Sequence, residues 1–211
     1  MTRLLFFALL LAVSCREKQT DVPPKIELIH NPIPIANAGT DTLWVNLIHS
    51  KILWKGTKMR GLGKHEGVIP LKKGFILENQ GKWLGGYFEI DMEKIRVTDI
   101  PESDPIPLKN LTEHLKNKDF FDVDKYPVSN FTLLEIKEFN PGKLLLRGKL
   151  EIKGISKEIS FEGTQNRNQI LAKIILDRFD WNIAYEGSWA DRTLVDRDIE
   201  FQVALVLQDF L

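Results

Sequence analysis

Residues 199–207 place Ile199, Phe201, Val203, Leu205 and Leu207 on alternate positions, with Glu200 and Gln202 between them. Successive side chains of a strand point to opposite faces, so this run has one buried face and one wet face. Residues 144–152 repeat the pattern: Leu144, Leu146, Gly148, Leu150 and Ile152 oppose Arg147, Lys149 and Glu151. In residues 170–178 the outside is assigned by Lys173 and Asp177. The inside then holds Ile170, Ala172, Ile174, Leu176 and one ionisable group, Arg178. Three runs with the same alternation predict an antiparallel sheet packed on one face.

The punctuation between runs agrees. Asn79-Gln80-Gly81-Lys82 predicts a hairpin turn into a strand over residues 83–91. Asn140-Pro141-Gly142-Lys143 separates 131–137 from 144–152, and Lys153-Gly154-Ile155-Ser156-Lys157 leads into 158–162. Leu71-Lys72-Lys73-Gly74 reads as a turn before Phe75-Ile76-Leu77, and Ile52 and Trp54 share a face in 50–56. Short turns at this spacing favour a sandwich or a barrel. One stretch departs: Leu108, Leu111 and Leu115 have helical spacing, after a proline-rich loop over residues 100–107. Phe120 and Phe121 are expected to dock that helix on one end of the barrel.

The chain has 211 residues, 43% hydrophobic and 27% charged, enough for one core with a lined cavity. Lys+Arg and Asp+Glu are both 29, so the formal net charge is zero. Without a basic excess there is little counterion release to gain, which argues against a nucleic-acid partner. With a single cysteine, neither an internal disulfide nor a cysteine-based zinc site can form.

That cysteine is Cys15. Arg3 precedes an unbroken apolar run from Leu4 to Val13, then Ser14, Cys15 and the polar Arg16-Glu17-Lys18. About twenty apolar residues are needed to span a bilayer, so this run has the length of a signal-peptide core instead. The segment resembles a bacterial lipobox, with Ala12 where leucine is usual, and Cys15 is the expected lipidation site. An ordinary cleaved signal peptide or a short uncleaved anchor are the other readings. Pro23, Pro24, Pro32 and Pro34 mark residues 15–41 as a tether, and residues 42–211 form the folded domain.

Catalytic signals are sparse. His30, His49, His65 and His114 show no HxH or HExxH spacing, and no metal site is expected. There is no GxSxG elbow, no GxGxxG and no P-loop. His65, His114 and Asp91 are the groups an enzyme reading would need together. Asp91 is better suited to capping the turn that starts at Met92. Asp177 and Asp180, flanking Arg178, read as charge compensation rather than a catalytic pair.

Leu84-Gly85-Gly86-Tyr87-Phe88-Glu89-Ile90-Asp91-Met92 resembles the GG-x-F-x-IDM hallmark of YceI-like proteins. His114-Leu115-Lys116-Asn117-Lys118-Asp119-Phe120-Phe121-Asp122-Val123, with Tyr126-Pro127 and Phe131, resembles the family's HLKS-x-DFFDV motif and its continuation. Gly148 to Lys157 is similar to its G-x-L-x-IKG-x-x-K hairpin, and His65-x-Gly67 falls in the matching place. Asn117 stands where serine is usual, and residues 196–198 are unusually charged.

The resemblance implies an all-β fold: an eight-stranded antiparallel lipocalin-like barrel with one short helix, whose interior holds a polyisoprenoid or similar lipid. Candidate ligand-binding residues are Trp54, Phe75, Phe88, Phe121, Phe131, Leu146, Leu150, Arg178, Trp181, Phe201 and Val203. Arg178 would meet either a buried carboxylate or an anionic lipid head. The expectation is a non-enzymatic carrier or scavenger of an apolar lipid on the periplasmic side of the cell envelope, exported and anchored to a membrane. No cofactor is expected beyond a bound polyisoprenoid or fatty-acid-like lipid, and a homodimer is left open. The alternative is a stress-related envelope interaction protein with a filled barrel and no ligand.

Overall fold

The computed structural model describes residues 39–184 and 194–208. Of the two compact units, Met1–His30 and Asn31–Leu211, only the second holds described residues. The signal segment, Cys15 and nearly all of the tether lie outside them.

Eleven strands form one antiparallel sheet: β1 (Asp41–Trp44), β2 (Lys51–Lys58), β3 (Gly63–Ile69), β4 (Leu71–Asn79), β5 (Lys82–Asp91), β6 (Arg96–Val97), β7 (Val128–Asn140), β8 (Lys143–Ile152), β9 (Ile155–Asn166), β10 (Gln169–Asp177) and β11 (Val195–Val206). Their order is β1-β4-β5-β7-β8-β9-β10-β11-β2-β3-β6. The sheet curls until β1 meets the end of β11. Val45 and Leu207 form an antiparallel bridge, Asn46 N–H donates to Val206 O at 2.7 Å and Gln208 N–H to Trp44 O at 2.7 Å.

The expected count of eight strands is therefore corrected to eleven. Two long strands are each interrupted once. Between β1 and β2 the Asn46 side chain accepts the N–H groups of Ile48 and His49, turning the chain aside. Between β3 and β4 stands Pro70, which has no N–H to give a ladder. Pairing resumes across both breaks, with Trp44 opposite Phe75 and Ile52 opposite Ile69. The two-residue β6, paired to β3, supplies the remaining strand.

Turn chemistry explains the hairpins. Gln80 and Gly81 have φ of 51° and 78°, and Lys153 and Gly154 have 52° and 71°. Two successive positive φ values are what a two-residue hairpin with right-twisted strands requires. The stretch Leu71–Gly74, expected as a turn, instead continues β4, with a register shift between Leu71 and Lys73. An extra residue in one strand bends it without ending it.

Helix α1 (Pro105–Lys116) begins earlier than its leucine spacing suggested. Pro105 and Pro107 fall in its first turn, where the missing N–H groups have no intrahelical partner to lose. It ends where Asn117 N–H reaches Glu113 O and His114 O. Leu115, Phe120 and Phe121 are all buried, and they join the core that fills the inner face of the sheet.

Two glycines inside strands are steric requirements. A Cβ on Gly148 would collide with Thr132 O and the ring of Phe131, and one on Gly67 with Arg96 O and the indole of Trp54. Gly148→Ala is expected to lower stability by about 1–3 kcal/mol, the usual range for forcing extra carbon into a packed interior. A urea melt of both proteins at equal m-value measures it.

Candidate ligand cavity

Alternation decides what meets inside the curled sheet. From β8 come Leu146 and Leu150, from β11 Phe201 and Val203, from β5 Phe88 and from β7 Phe131; Phe121 reaches in from the segment after α1. They surround an apolar cavity. Its volume is about 120 Å³, so the hollow is thin. It is also long. Ile170 and Leu176 of one strand both line it, and six steps of about 3.3 Å along a strand tilted by about 40° to the barrel axis make roughly 15 Å.

Four of the sequence-chosen residues lie elsewhere. Phe75 is buried on the opposite face, edge-on to Trp44 with centroids 5.6 Å apart and tilted against Tyr87. The register shift ahead of it sets that direction. Trp54 keeps the buried face it shares with Ile52, but its ring turns across Gly67 and its Nε1 donates to Arg96 O at 3.2 Å. Trp181 lies in the 3-10 turn Arg178–Trp181 and donates to Leu150 O at 3.3 Å, buried in the core but not lining the cavity.

Arg178 is the fourth. Only 1% exposed, it opens that 3-10 turn, so strand alternation no longer aims its side chain. Its guanidinium donates to Asp196 O at 3.0 Å, Ile183 O at 2.7 Å and Val195 O at 3.2 Å, and stacks on Phe179. Burial pulls its pKa below the ordinary guanidinium value, against the pull of Asp177. The flanking carboxylates hold other cations: Asp177 binds Arg197 at 2.6 Å and Asp180 binds Lys157 at 2.6 Å.

Sequence reasoning passed over Trp83, Phe161 and Ser129, which line the cavity too. Trp83 and Phe88 are an odd number of residues apart, yet both face inward. The register shift beside Trp83, between Leu77 and Glu78, reconciles them. Phe161 was there to be found, since Leu146 faces it across the β8–β9 ladder and its ring lies 5.7 Å from that of Phe131.

The wall is not uniform. β9 and β10 pair only from Gln169–Asn166 to Ala172–Gly163, whereas β10 and β11 pair over nine positions. Ile159, Phe161 and Ile174, on either side of the unpaired stretch, line the cavity and are only partly buried. Lys157 and Asp180, both about half-exposed, bridge the strand and the 3-10 turn beside it.

The groups an enzyme reading needs are apart from this hollow. His65 Nδ1 lies 3.0 Å from Asp99 Oδ2, and Asp91 Oδ2 binds Lys94 Nζ at 2.9 Å. Asp91 occupies the cap position before Met92, but its side chain makes no capping hydrogen bond. The His114 ring packs on Phe120 at 5.4 Å. None of the three lines the cavity. Among the described residues no group of three or more His, Cys, Asp or Glu is placed to hold a metal, and no helix is long and apolar enough to cross a membrane.

An antiparallel sheet curled around an apolar hollow, with a helix at one end, is the architecture of a cavity-bearing β-barrel. Residues 45–207 match the sequence model of the YceI-like domain, and the chain belongs to that family. Its structure is similar to that of Burkholderia cenocepacia BcnA, with 22% identity, a TM-score of 0.60, and coverage of 78% of this chain and 99% of that one. The Campylobacter jejuni YCEI protein aligns at 17% identity over 95% of this chain and 100% of its own, with a TM-score of 0.48. No curated protein matches the chain in sequence.

Two expectations follow from these contacts. Arg178→Met strips buried carbonyls of their donor and is expected to cost at least about 2 kcal/mol, with Arg178→Lys recovering little because an ammonium lacks the planar fork. Chemical denaturation of the three proteins compares them. Burial lowers the His114 pKa, and Asp119 opposes this more weakly. Below the unfolded value of about 6.5 the unfolded chain takes up a proton that the folded one resists, so this group's contribution to stability falls as pH falls. Melts at pH 7 and pH 5 should show a smaller acid loss in His114→Phe than in the parent.

Proposed function

We propose that the protein is a binder of one long, thin, apolar chain, isoprenoid-like or a comparable lipid, held lengthwise in its barrel. It acts as a carrier or scavenger on the periplasmic side of the cell envelope, anchored through acylated Cys15. The observation that carries this reading is the hollow itself: about fifteen ångströms of apolar side-chain lining that stops short of filling the axis. Family membership supports it, because YceI-like proteins are lipid and polyisoprenoid binders. The reading assigns no chemistry to the bound chain.

Each methylene moved from water into such a hollow contributes about 0.8 kcal/mol, or about fourfold in affinity. Displacement of a fluorescent apolar probe by n-alcohols of increasing length should therefore strengthen by about fourfold per carbon and then level off when the hollow is full. Affinity independent of chain length would favour a filled interaction scaffold instead. Native mass spectrometry of the full chain should show a co-purified lipid and a diacylglyceryl mass on Cys15. Cys15→Ala should lose the second and keep the first.

A further inference from the structure

One joint of the wall is built to part. The β9–β10 ladder runs only from Gln169–Asn166 to Ala172–Gly163. Carried on in the same register, it would set Ile174 opposite Phe161 and Leu176 opposite Ile159, but residues 173–177 pair with β11 alone. Past the end of β10, Lys157 Nζ binds Asp180 Oδ1 at 2.6 Å and ties the two segments again. Strand edges without a ladder between them can separate with no loss of main-chain hydrogen bonds. The margins of this seam are apolar on both faces. Ile159, Phe161 and Ile174 line the hollow on the inside, and on the outside Ile175 is 59% and Phe179 43% exposed.

The ends of the hollow offer no such route. Phe121 and Met92 line it at the α1 end with 5% and 3% exposure, and Val45, Leu144 and Leu207 at the other end are buried without lining it. The unpaired run 173–177, by contrast, lies along the length of the hollow, so a long chain can pass there sideways instead of threading. Resting on the carrier reading, we infer that the seam between β9 and β10 is the gate by which the apolar chain enters and leaves, with the Lys157–Asp180 ion pair as its latch. Both latch residues are about half-exposed, so water competes for their charges, and the pair favours the shut gate by no more than about fivefold. It breaks at each passage and re-forms behind the chain. Neither residue lines the hollow, so the latch sets rates and leaves affinity alone.

Stopped-flow binding and release of diphenylhexatriene, a thin apolar dye that brightens on leaving water, tests this on the full chain carrying Cys15→Ala. Ser160→Cys with Ile175→Cys sets two thiols opposite each other on the outer face in the continued register. Oxidation of that pair should slow entry and exit alike by at least about tenfold, as expected of a locked gate, and reduction should restore both. A control pair, Lys173→Cys with Gln202→Cys on the fully paired β10–β11 ladder, should keep the parent's rates oxidised or reduced. Lys157→Glu should speed both steps by about two- to fivefold at unchanged Kd, and Lys157→Glu with Asp180→Lys should return them to the parent's values. Parent rates through the oxidised seam, or in Lys157→Glu, would overturn the gate and leave the carrier reading intact. If the seam thiols do not join, the Lys157→Glu comparison decides alone. A full chain that binds neither the dye nor hexadecanol would overturn both readings.

Discussion

The hollow depends on where aromatic rings come to rest. A barrel of about eight staves is just wide enough to be filled by its own side chains. Here rings are laid along the wall. Phe131 lies so close over Gly148 that a Cβ there would overlap it, and Phe88 stands in the same relation to Gly74, where a Cβ would come within 2.9 Å of the ring. Each ring occupies the space that a side chain on the neighbouring strand would otherwise take. Glycine within a strand is ordinarily a weakness. In this wall it is the space that lets an aromatic lie flat, and so the thin void follows from glycine placement as much as from apolar composition.

Polar groups at the barrel's ends are settled by main chain rather than by each other. Arg178 takes carbonyls of Ile183, Val195 and Asp196, which join the chain after β10 to the start of β11. Trp181 takes Leu150 O, and Lys153 Nζ takes Lys118 O and Asn182 O. Such bonds close the ends without placing a charge on the inner wall. The buried Asp91 Oδ1, Asp119 Oδ1 and Thr132 Oγ1 have no hydrogen-bond partner, and none of the three residues lines the hollow. Polar surface is thus kept out of the interior.

Much of this was legible in the chain. β8, β10 and β11 show clean alternation, and Leu146, Leu150, Phe201 and Val203 fall inside as their neighbours' charges require. Legibility failed where the period was broken or unmarked. Phe75-Ile76-Leu77 contains no polar residue to identify its outer face, and the shift after Leu71 decided that Ile76, not Phe75, looks inward. The same kind of shift hid Trp83. Arg178 was misplaced because β10 ends at Asp177, one residue before alternation was carried across the start of a 3-10 turn. Pro105 and Pro107 read as loop because proline's tolerance at a helix start depends on knowing where the helix starts. Bulges and strand ends are set by pairing with distant segments, which a local period does not register.

Register and cavity are one property seen from two sides. On the outside Arg147 binds Glu135 at 2.8 Å and Glu158 at 3.2 Å, tying β7, β8 and β9, and Lys173 binds Glu200 at 2.8 Å across β10 and β11. Pairs this exposed add little stability individually. Their weight lies in the alternative they forbid. Slipping β8 by one residue would exchange the places of Leu146 and Arg147, leaving a guanidinium in an apolar hollow and a leucine in water. That penalty is an uncompensated buried charge, far larger than any surface pair contributes. An equal number of acidic and basic residues, kept to the outer face of most strands, therefore holds the sheet in the single register that leaves its axis both apolar and open.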